Sequence, residues 1–188
     1  MSWSFQIPKL ATEGMTNLNN AISSAISKKI LLFCTANDKG AQGGRYAPFH
    51  HPNNNFFRIG AATNSGGEWE WVGREPVDFI FPGHEILIDP QLSHLWKGNR
   101  LSGSSLATAF AAGFAALIMH IVKMTSTEKE PSEWDYSSME NAFRAVGVSG
   151  SNYIQVWNMF KTKEVDKRGV PLEGDEILER IAAKLRPQ

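Results

Sequence analysis

Three serines, Ser102, Ser104 and Ser105, stand directly before a long apolar run that continues to Val122. The run predicts a helix, and a serine at its start keeps its side chain free of the helix hydrogen-bond ladder. It also lies beside backbone N–H groups without helical partners, at the positive end of the helix dipole, where a developing oxyanion would be stabilised. The pattern therefore makes this turn a suitable place for a nucleophile. On the local pattern alone, however, the favoured interpretation is that these serines are ordinary N-caps of a core helix.

The elements that would position this turn alternate between helical and extended patterns. Apolar residues recur at helical spacing over 15–26, and the apolar run 30–34 predicts a strand buried on both faces of a parallel sheet. Further strands are predicted at 56–62 and 77–81, with an exposed ribbon at 68–72 between them. The order of elements therefore predicts an α/β fold.

Beyond Met124 the composition turns polar through residues 125–136, which predicts a linker. Helical spacing then returns in three places, at residues 139–146, at 153–160 and from about Asp175 onward. We interpret these pieces as helices packed on the outside of the sheet, with residues 161–174 as a mobile connection. Nothing in this part of the chain indicates chemistry.

Composition limits the class of protein. The chain has 188 residues, 42% of them hydrophobic, which is typical of a globular domain with its own core. Its 19 basic and 19 acidic residues balance, so charge gives no reason to expect binding to nucleic acid or to a membrane surface. The apolar run 106–122 is at the short limit for a membrane span, and we interpret it as a helix buried on all sides.

Two further observations concern the cellular compartment. The single cysteine, Cys34, allows no internal disulfide, and its apolar neighbours predict a buried, inert thiol. Residues 1–9 lack the basic region and apolar core of a secretory signal. An intracellular location is therefore favoured over secretion.

The serine cluster also carries a family resemblance. Residues 103–108 read Gly-Ser-Ser-Leu-Ala-Thr and are followed by Ala-Gly at 112–113 and Ala-Ala-Leu at 115–117. This block resembles the Gly-Thr-Ser-x-Ala-Ser/Thr-Pro…Ala-Gly…Ala-Leu block of the subtilisin-like serine peptidases. The catalytic serine of that family falls on Ser105. The chain departs from the pattern with Ser104 for the usual threonine and an alanine for the usual proline.

Three more blocks resemble the same family in the same order. Residues 30–40 are similar to Val-Val-Ala-Ala-Ala-Gly-Asn-x-Gly, 57–62 to Val-Ile-Ala-Val-Gly-Ala, and 81–83 to the Ala-Pro-Gly turn. Residues 1–4 resemble the Met-Ser-Leu-Gly segment that forms one wall of the primary substrate pocket. The sequences of residues 69–72 and 79–84 most resemble subtilases from fungi.

The resemblance implies a fold and a division of the chain. The fold would be a partial three-layer α/β subtilisin-like fold, with a mainly parallel sheet flanked by helices and a C-terminal helical extension. Residues 1–124 would be the C-terminal part of the catalytic domain, and residues 125–188 the helical extension packed on it.

The resemblance also implies site residues. Ser105 would be the nucleophile, and Asp38 stands where the family uses an asparagine amide to donate a hydrogen bond to the oxyanion. An ionised Asp38 would repel that oxyanion, whereas a protonated one could still donate. The residues implied in substrate binding are Ser2, Trp3, Ser4, Ala36, Asn37 and Ser104. Asn37 and Asp38 could alternatively form only a turn after a strand.

The family's catalytic aspartate and histidine precede the Met-Ser-Leu-Gly segment, so neither has a counterpart in this chain. The chain's histidines stand in other settings, and His120 is expected to be a hydrogen-bonded core residue. They are His50, His51, His84, His94 and His120. We therefore expect a serine-type endopeptidase fragment that is inactive alone and completed by an N-terminal half carrying the aspartate and histidine.

The expected substrate is a peptide or protein, with no cofactor, no metal, no nucleic acid and no membrane. The alternative is a catalytically dead subtilase-like module that binds peptides or another protein.

Overall fold

The computed structural model describes residues 1–3, 12–40, 47–49, 51, 55–73, 76–91, 98–125, 134–160 and 173–186. The chain forms two compact units, Met1–Ala112 and Gly113–Gln188. The first unit contains the sheet and the start of the helix that follows the serine cluster. The second contains the rest of that helix and the C-terminal helices. The predicted division into a catalytic part and an extension at residue 124 stays a prediction.

The first unit contains a four-stranded parallel sheet in the order β1-β2-β3-β4. The strands are β1 (Ser2–Trp3), β2 (Phe33–Thr35), β3 (Phe57–Ala62) and β4 (Phe79–Pro82). Because every neighbour is parallel, the carboxyl ends of all four strands lie at one edge. The prediction of an α/β fold with a mainly parallel sheet is confirmed.

The core of this unit is built on β3, which is buried along almost its whole length. Phe57, Ile59 and Ala61 are fully buried on one face, and Gly60 and Ala62 are buried on the other, as is usual for an inner strand of a parallel sheet. Phe57 stacks on Phe33 of β2 with ring centroids 5.0 Å apart. A Cβ at Gly60 would lie 2.9 Å from Cγ1 of Val72, so glycine allows that side chain to close over the strand.

Helix α1 spans Thr12–Ser27 and ends before the two lysines, as predicted. The strand that follows is shorter than the predicted 30–34, because Ile30 is 44% exposed and only Leu32 onward is buried. Ile30 N instead donates to Ala25 O over 3.0 Å and closes the end of the helix. An apolar residue at a helix end was thus mistaken for the first residue of the strand.

The predicted ribbon at 68–72 is wrong. These residues form turns with one antiparallel bridge, between Ala62 and Glu68. Trp71 is half exposed while Val72 is buried, so the alternation reflects a turn with one residue packed over Gly60. A short antiparallel hairpin follows β4, with β5 (Ile86–Leu87) paired to β6 (Arg100–Leu101).

Helix α2 spans Ser104–Thr125, and the expectation that it is buried on all sides is wrong. One face is buried, but the opposite face exposes large apolar side chains. These are Phe110, Leu117, Met119 and Met124, exposed by 46%, 38%, 38% and 59%. His120 is also exposed, so it is not the core residue that was expected. In the part of the chain that the structure describes, α2 is the one helix long and apolar enough to cross a membrane, a test that core helices also pass.

The second unit packs the end of α2 with α3 (Tyr136–Val146) and α4 (Gly174–Leu185). Phe114 and Phe143 stack at 5.9 Å, and Asp135 caps α3 by accepting from Ser138 N. The predicted helix at 153–160 is only a four-residue 3-10 helix. Residues 126–133 of the predicted linker and residues 161–172 of the predicted connection lie outside the described residues.

Candidate active site

The serine turn, which we define as residues 102–105, lies at the edge where the parallel strands end. Gly103 N donates to Gly83 O over 2.7 Å, just after β4, and Ser102 Oγ accepts from Glu85 N over 2.8 Å. The turn is therefore held to the segment that follows β4 by one backbone bond and one bond to a side chain. Ligand sites of open α/β sheets are commonly found at this edge.

Close packing reinforces this attachment. A Cβ at Gly83 would lie 2.9 Å from Cβ of Ala61, 3.0 Å from Cβ of Ala107 and 3.0 Å from Gly103 O. Carbon atoms in ordinary contact are about 3.5–4.0 Å apart, so only glycine allows β3, the end of β4 and α2 to approach this closely. The glycine of the Phe-Pro-Gly block thus has a packing role beside the serine turn.

Ser104 is fully buried and connects the helix to two strands. Its hydroxyl donates to Asp38 Oδ1 over 2.5 Å and accepts from Ala61 N of β3 over 3.0 Å. Its backbone N–H donates to Asp38 Oδ2 over 2.7 Å. Asp38 lies in the loop after β2, so these contacts join the first residue of α2 to the ends of β2 and β3.

Ser105 differs from its neighbours. It is half-buried, and neither its hydroxyl nor its backbone N–H has a hydrogen-bond partner among the residues that the structure describes. The next amide, Leu106 N, already donates to Gly103 O over 3.1 Å. A hydroxyl and an N–H on one residue at the start of a helix could act as nucleophile and oxyanion donor. The expectation that serines here have free groups thus holds for Ser105 and not for Ser104.

The Asp38 carboxyl lies on the same side of Gly103 as the Ser105 hydroxyl. A Cβ at Gly103 would be 3.3 Å from Ser105 Oγ and 3.5 Å from Asp38 Oδ2. Burial is the main influence on the carboxyl and raises the pKa of Asp38, while the hydroxyl and backbone bonds from Ser104 oppose it. Asp38 has no ion pair within the described part of the chain.

The other predicted substrate-binding residues lie along β1 and the loop after β2. Ala36 is buried, with its N–H donating to Ile59 O over 2.8 Å. The side-chain amide nitrogen of Asn37 is buried, and no hydrogen-bond partner for it lies in the described ranges. Ser2 and Trp3 pair with Phe33 and Cys34, which places β1 beside β2, as a shared pocket wall would require. Ser4 lies outside the described residues.

The described histidines either contact residues other than Ser105 or are exposed. His51 is buried with Nε2 3.4 Å from Asn19 O, and His84 packs against Trp69 at 5.4 Å between ring centroids. His120 is exposed on α2. None of these three forms a hydrogen bond with Ser105, and His50 and His94 lie outside the described residues. No group of three His, Cys, Asp or Glu side chains that could hold a metal ion occurs in the described part of the chain.

Sequence reasoning missed two relations at this site. The pairing of Asp38 with Ser104 joins residues 66 positions apart, and nothing local in either segment signals it. The second is the packing of Gly83 against Ala61 and Ala107, for which the Phe-Pro-Gly block was the available signal.

The fold recurs among solved protease structures. The prenylagaramide maturation protease PagA matches 84% of this chain with a TM-score of 0.60 at 21% identity, and this chain covers 59% of it. A lanthipeptide protease matches 81% with a TM-score of 0.60 at 18% identity, with 58% of that protein covered. The architecture is thus a mixed α/β, subtilisin-like protease fold.

The sequence identifies the family. The model of the subtilase family matches residues 1–157, and the chain belongs to that family of serine peptidases. Subtilisin-like protease 2 of Pseudogymnoascus destructans is 25% identical over 141 residues, which are 71% of this chain and 31% of that protein. Alkaline protease 1 of Aspergillus clavatus is 28% identical over 102 residues, 54% of this chain and 25% of that protein. The predicted likeness to fungal subtilases is confirmed, and the chain spans about a third or less of these relatives.

Proposed function

We propose that this chain is the nucleophile-bearing part of a subtilisin-like serine endopeptidase. Ser105 Oγ attacks the carbonyl carbon of a peptide bond. A base takes the hydroxyl proton and later passes it to the leaving amine as the peptide C–N bond breaks. The observation that carries the proposal is the first turn of α2, where Ser104 is fully engaged but the Ser105 hydroxyl and N–H have no partner in the described ranges. Membership of the subtilase family supports the reaction class.

The base and its carboxylate would come from a further polypeptide segment. No described histidine is hydrogen-bonded to Ser105, and a serine without such a base is a weak nucleophile. The exposed apolar face of α2 is the type of surface that such a segment would cover. We propose that an N-terminal half of the domain supplies the aspartate and histidine, and that the chain does not catalyse alone.

The substrate would be a peptide or protein bound along the edge of the sheet. β1 and β2 run in parallel, so Ser2, Trp3 and the loop carrying Ala36 and Asn37 end at the same edge as the serine turn. These residues are proposed to form walls of the primary substrate pocket. The Ser104 side chain is buried in internal hydrogen bonds, so any contact with the substrate would come from its backbone.

Labelling with a fluorophosphonate probe tests the proposal. The 188-residue chain should not react, whereas a polypeptide extended upstream of Met1 to include an aspartate and a histidine block should be labelled at Ser105. Ser105→Ala should abolish that labelling, and Ser102→Ala should not. Labelling of the short chain at Ser105 would mean that one of its own histidines is the base.

The alternative function is a subtilase-like module that binds peptides or proteins without cleaving them. The observation that favours it is Asp38, which stands at the position of the family's amide donor and has both carboxylate oxygens accepting from Ser104. Binding of a peptide library to the extended polypeptide without labelling of Ser105 would support this function.

A further inference from the structure

We propose that Asp38 is a positioning residue for the serine turn, which holds Ser105 in place through Ser104 and does not donate to the oxyanion. This inference rests on the proposed role of Ser105. It assigns Asp38 a different role from the oxyanion contact that the family resemblance implies.

The first argument is the match between donors and acceptors. Ser104 presents two donors to the carboxyl, its backbone N–H and its hydroxyl, at 2.7 and 2.5 Å. An ionised carboxylate has one oxygen for each, whereas an asparagine side chain would have to accept both on its single oxygen. O–H···O⁻ bonds of about 2.5–2.7 Å are typical of charge-assisted pairs. The two donors of Ser104 therefore match the two acceptor oxygens of an ionised Asp38.

The second argument is mechanical. The Ser104 hydroxyl also accepts from Ala61 N, so one fully buried side chain connects the loop after β2, strand β3 and the first residue of α2. Ser105 is the next residue and has no side-chain partner of its own among the described residues. Its position thus depends on the two anchors that precede it, Ser104 and the Gly103–Gly83 bond.

Charged groups near the site do not account for the arrangement. The elements packed around the turn carry Lys39 in the loop of Asp38, and His84 and Glu85 after β4. None of these pairs with Asp38, and Glu85 instead pairs with Arg100 at 3.4 Å. The two Ser104 bonds are therefore the interactions that oppose the effect of burial on the carboxyl.

The titration of Asp38 tests the inference without requiring catalysis. In the 188-residue chain labelled with ¹³C-carboxyl aspartate, the Asp38 resonance is the one lost in Asp38→Asn. We expect an upward shift of its titration midpoint in Ser104→Ala, because the Ser104 bonds oppose the effect of burial, and little change in Ser104→Thr, which keeps the hydroxyl. Ser102→Ala is the matched control, because Ser102 accepts from Glu85 N and does not contact Asp38.

Amide hydrogen exchange tests the positioning role itself. Asp38→Ala should accelerate exchange of the Ser104, Leu106 and Ala107 amides by about tenfold or more, because two charge-assisted bonds are lost. Asp38→Asn should restore part of the protection, since its oxygen can accept from Ser104 N and its amide can donate to the hydroxyl. An unchanged or lower midpoint in Ser104→Ala would show that the Ser104 bonds do not favour the ionised carboxylate, and would overturn the inference. Unchanged exchange in Asp38→Ala would overturn it as well, whereas failure of Ser105 labelling in the extended polypeptide would count only against the proposed function.

Discussion

The close approach of three elements beside the serine turn makes Gly83→Ala the most informative single substitution. The new methyl would meet two Cβ atoms and a carbonyl oxygen at 2.9–3.0 Å, and none of these belongs to a flexible side chain. Each neighbour would have to retreat by about 0.5–1 Å to reach an ordinary contact distance. Overpacking of this kind costs about 1–3 kcal/mol, and the lower entropy of the unfolded alanine chain returns about 0.4–1 kcal/mol. We expect a net loss of about 1–2 kcal/mol in the free energy of unfolding.

Gly113→Ala is the matched control, with the opposite expected sign. Gly113 is exposed inside α2, and a Cβ there would meet nothing within 4 Å. Alanine in a helix interior is better than glycine by about 0.5–1 kcal/mol, so this variant should be more stable than the wild type.

Urea unfolding followed by tryptophan fluorescence in dilute protein measures both variants. With a slope of about 2 kcal/mol per M, Gly83→Ala should lower the midpoint by about 0.5–1 M and Gly113→Ala should raise it by about 0.3–0.5 M. An unchanged or higher midpoint for Gly83→Ala would refute the packing of the serine turn against β3 and β4. A lower midpoint for Gly113→Ala would show that its exposed face is covered.

Three other predictions concern the core, the thiol and the pH dependence. Phe57→Ala should cost about 3–5 kcal/mol in urea unfolding because Phe57 is fully buried, whereas Phe160→Ala, at a half-exposed site, should change stability by less than about 0.5 kcal/mol. Burial raises the pKa of the Cys34 thiol far above its ordinary value, so a thiol reagent should react only as fast as the chain unfolds; rapid reaction in native buffer would contradict this. The folded-state pKa of Asp38 is raised above its ordinary 3.8, so its contribution to stability is present below about pH 3.8 and is lost as pH rises through the folded pKa. The stability of Asp38→Asn relative to wild type should therefore increase from about pH 4 upward and then level off, and a relative decrease over that range would mean that the pKa is lowered.

The sequence by itself determined the class of fold and the position of the serine turn. The unbroken apolar run 30–34 indicated a strand buried on both faces, and β3 and β4 form within a residue or two of the predicted places. The change from small polar residues to an apolar run located the start of α2 correctly. These signals are local, because burial on both faces and helix initiation each leave a pattern within a few residues.

Only the tertiary structure decided which groups of the serine turn are engaged and which are free. Ser104 and Ser105 are adjacent and chemically identical, yet one is joined to Asp38 and Ala61 and the other has no hydrogen-bond partner in the described part of the chain. The difference arises from the directions of the two side chains relative to β2 and β3, which are distant in sequence. The exposed face of α2 was missed for a similar reason, since an apolar pattern cannot show whether a neighbouring element is present to cover it.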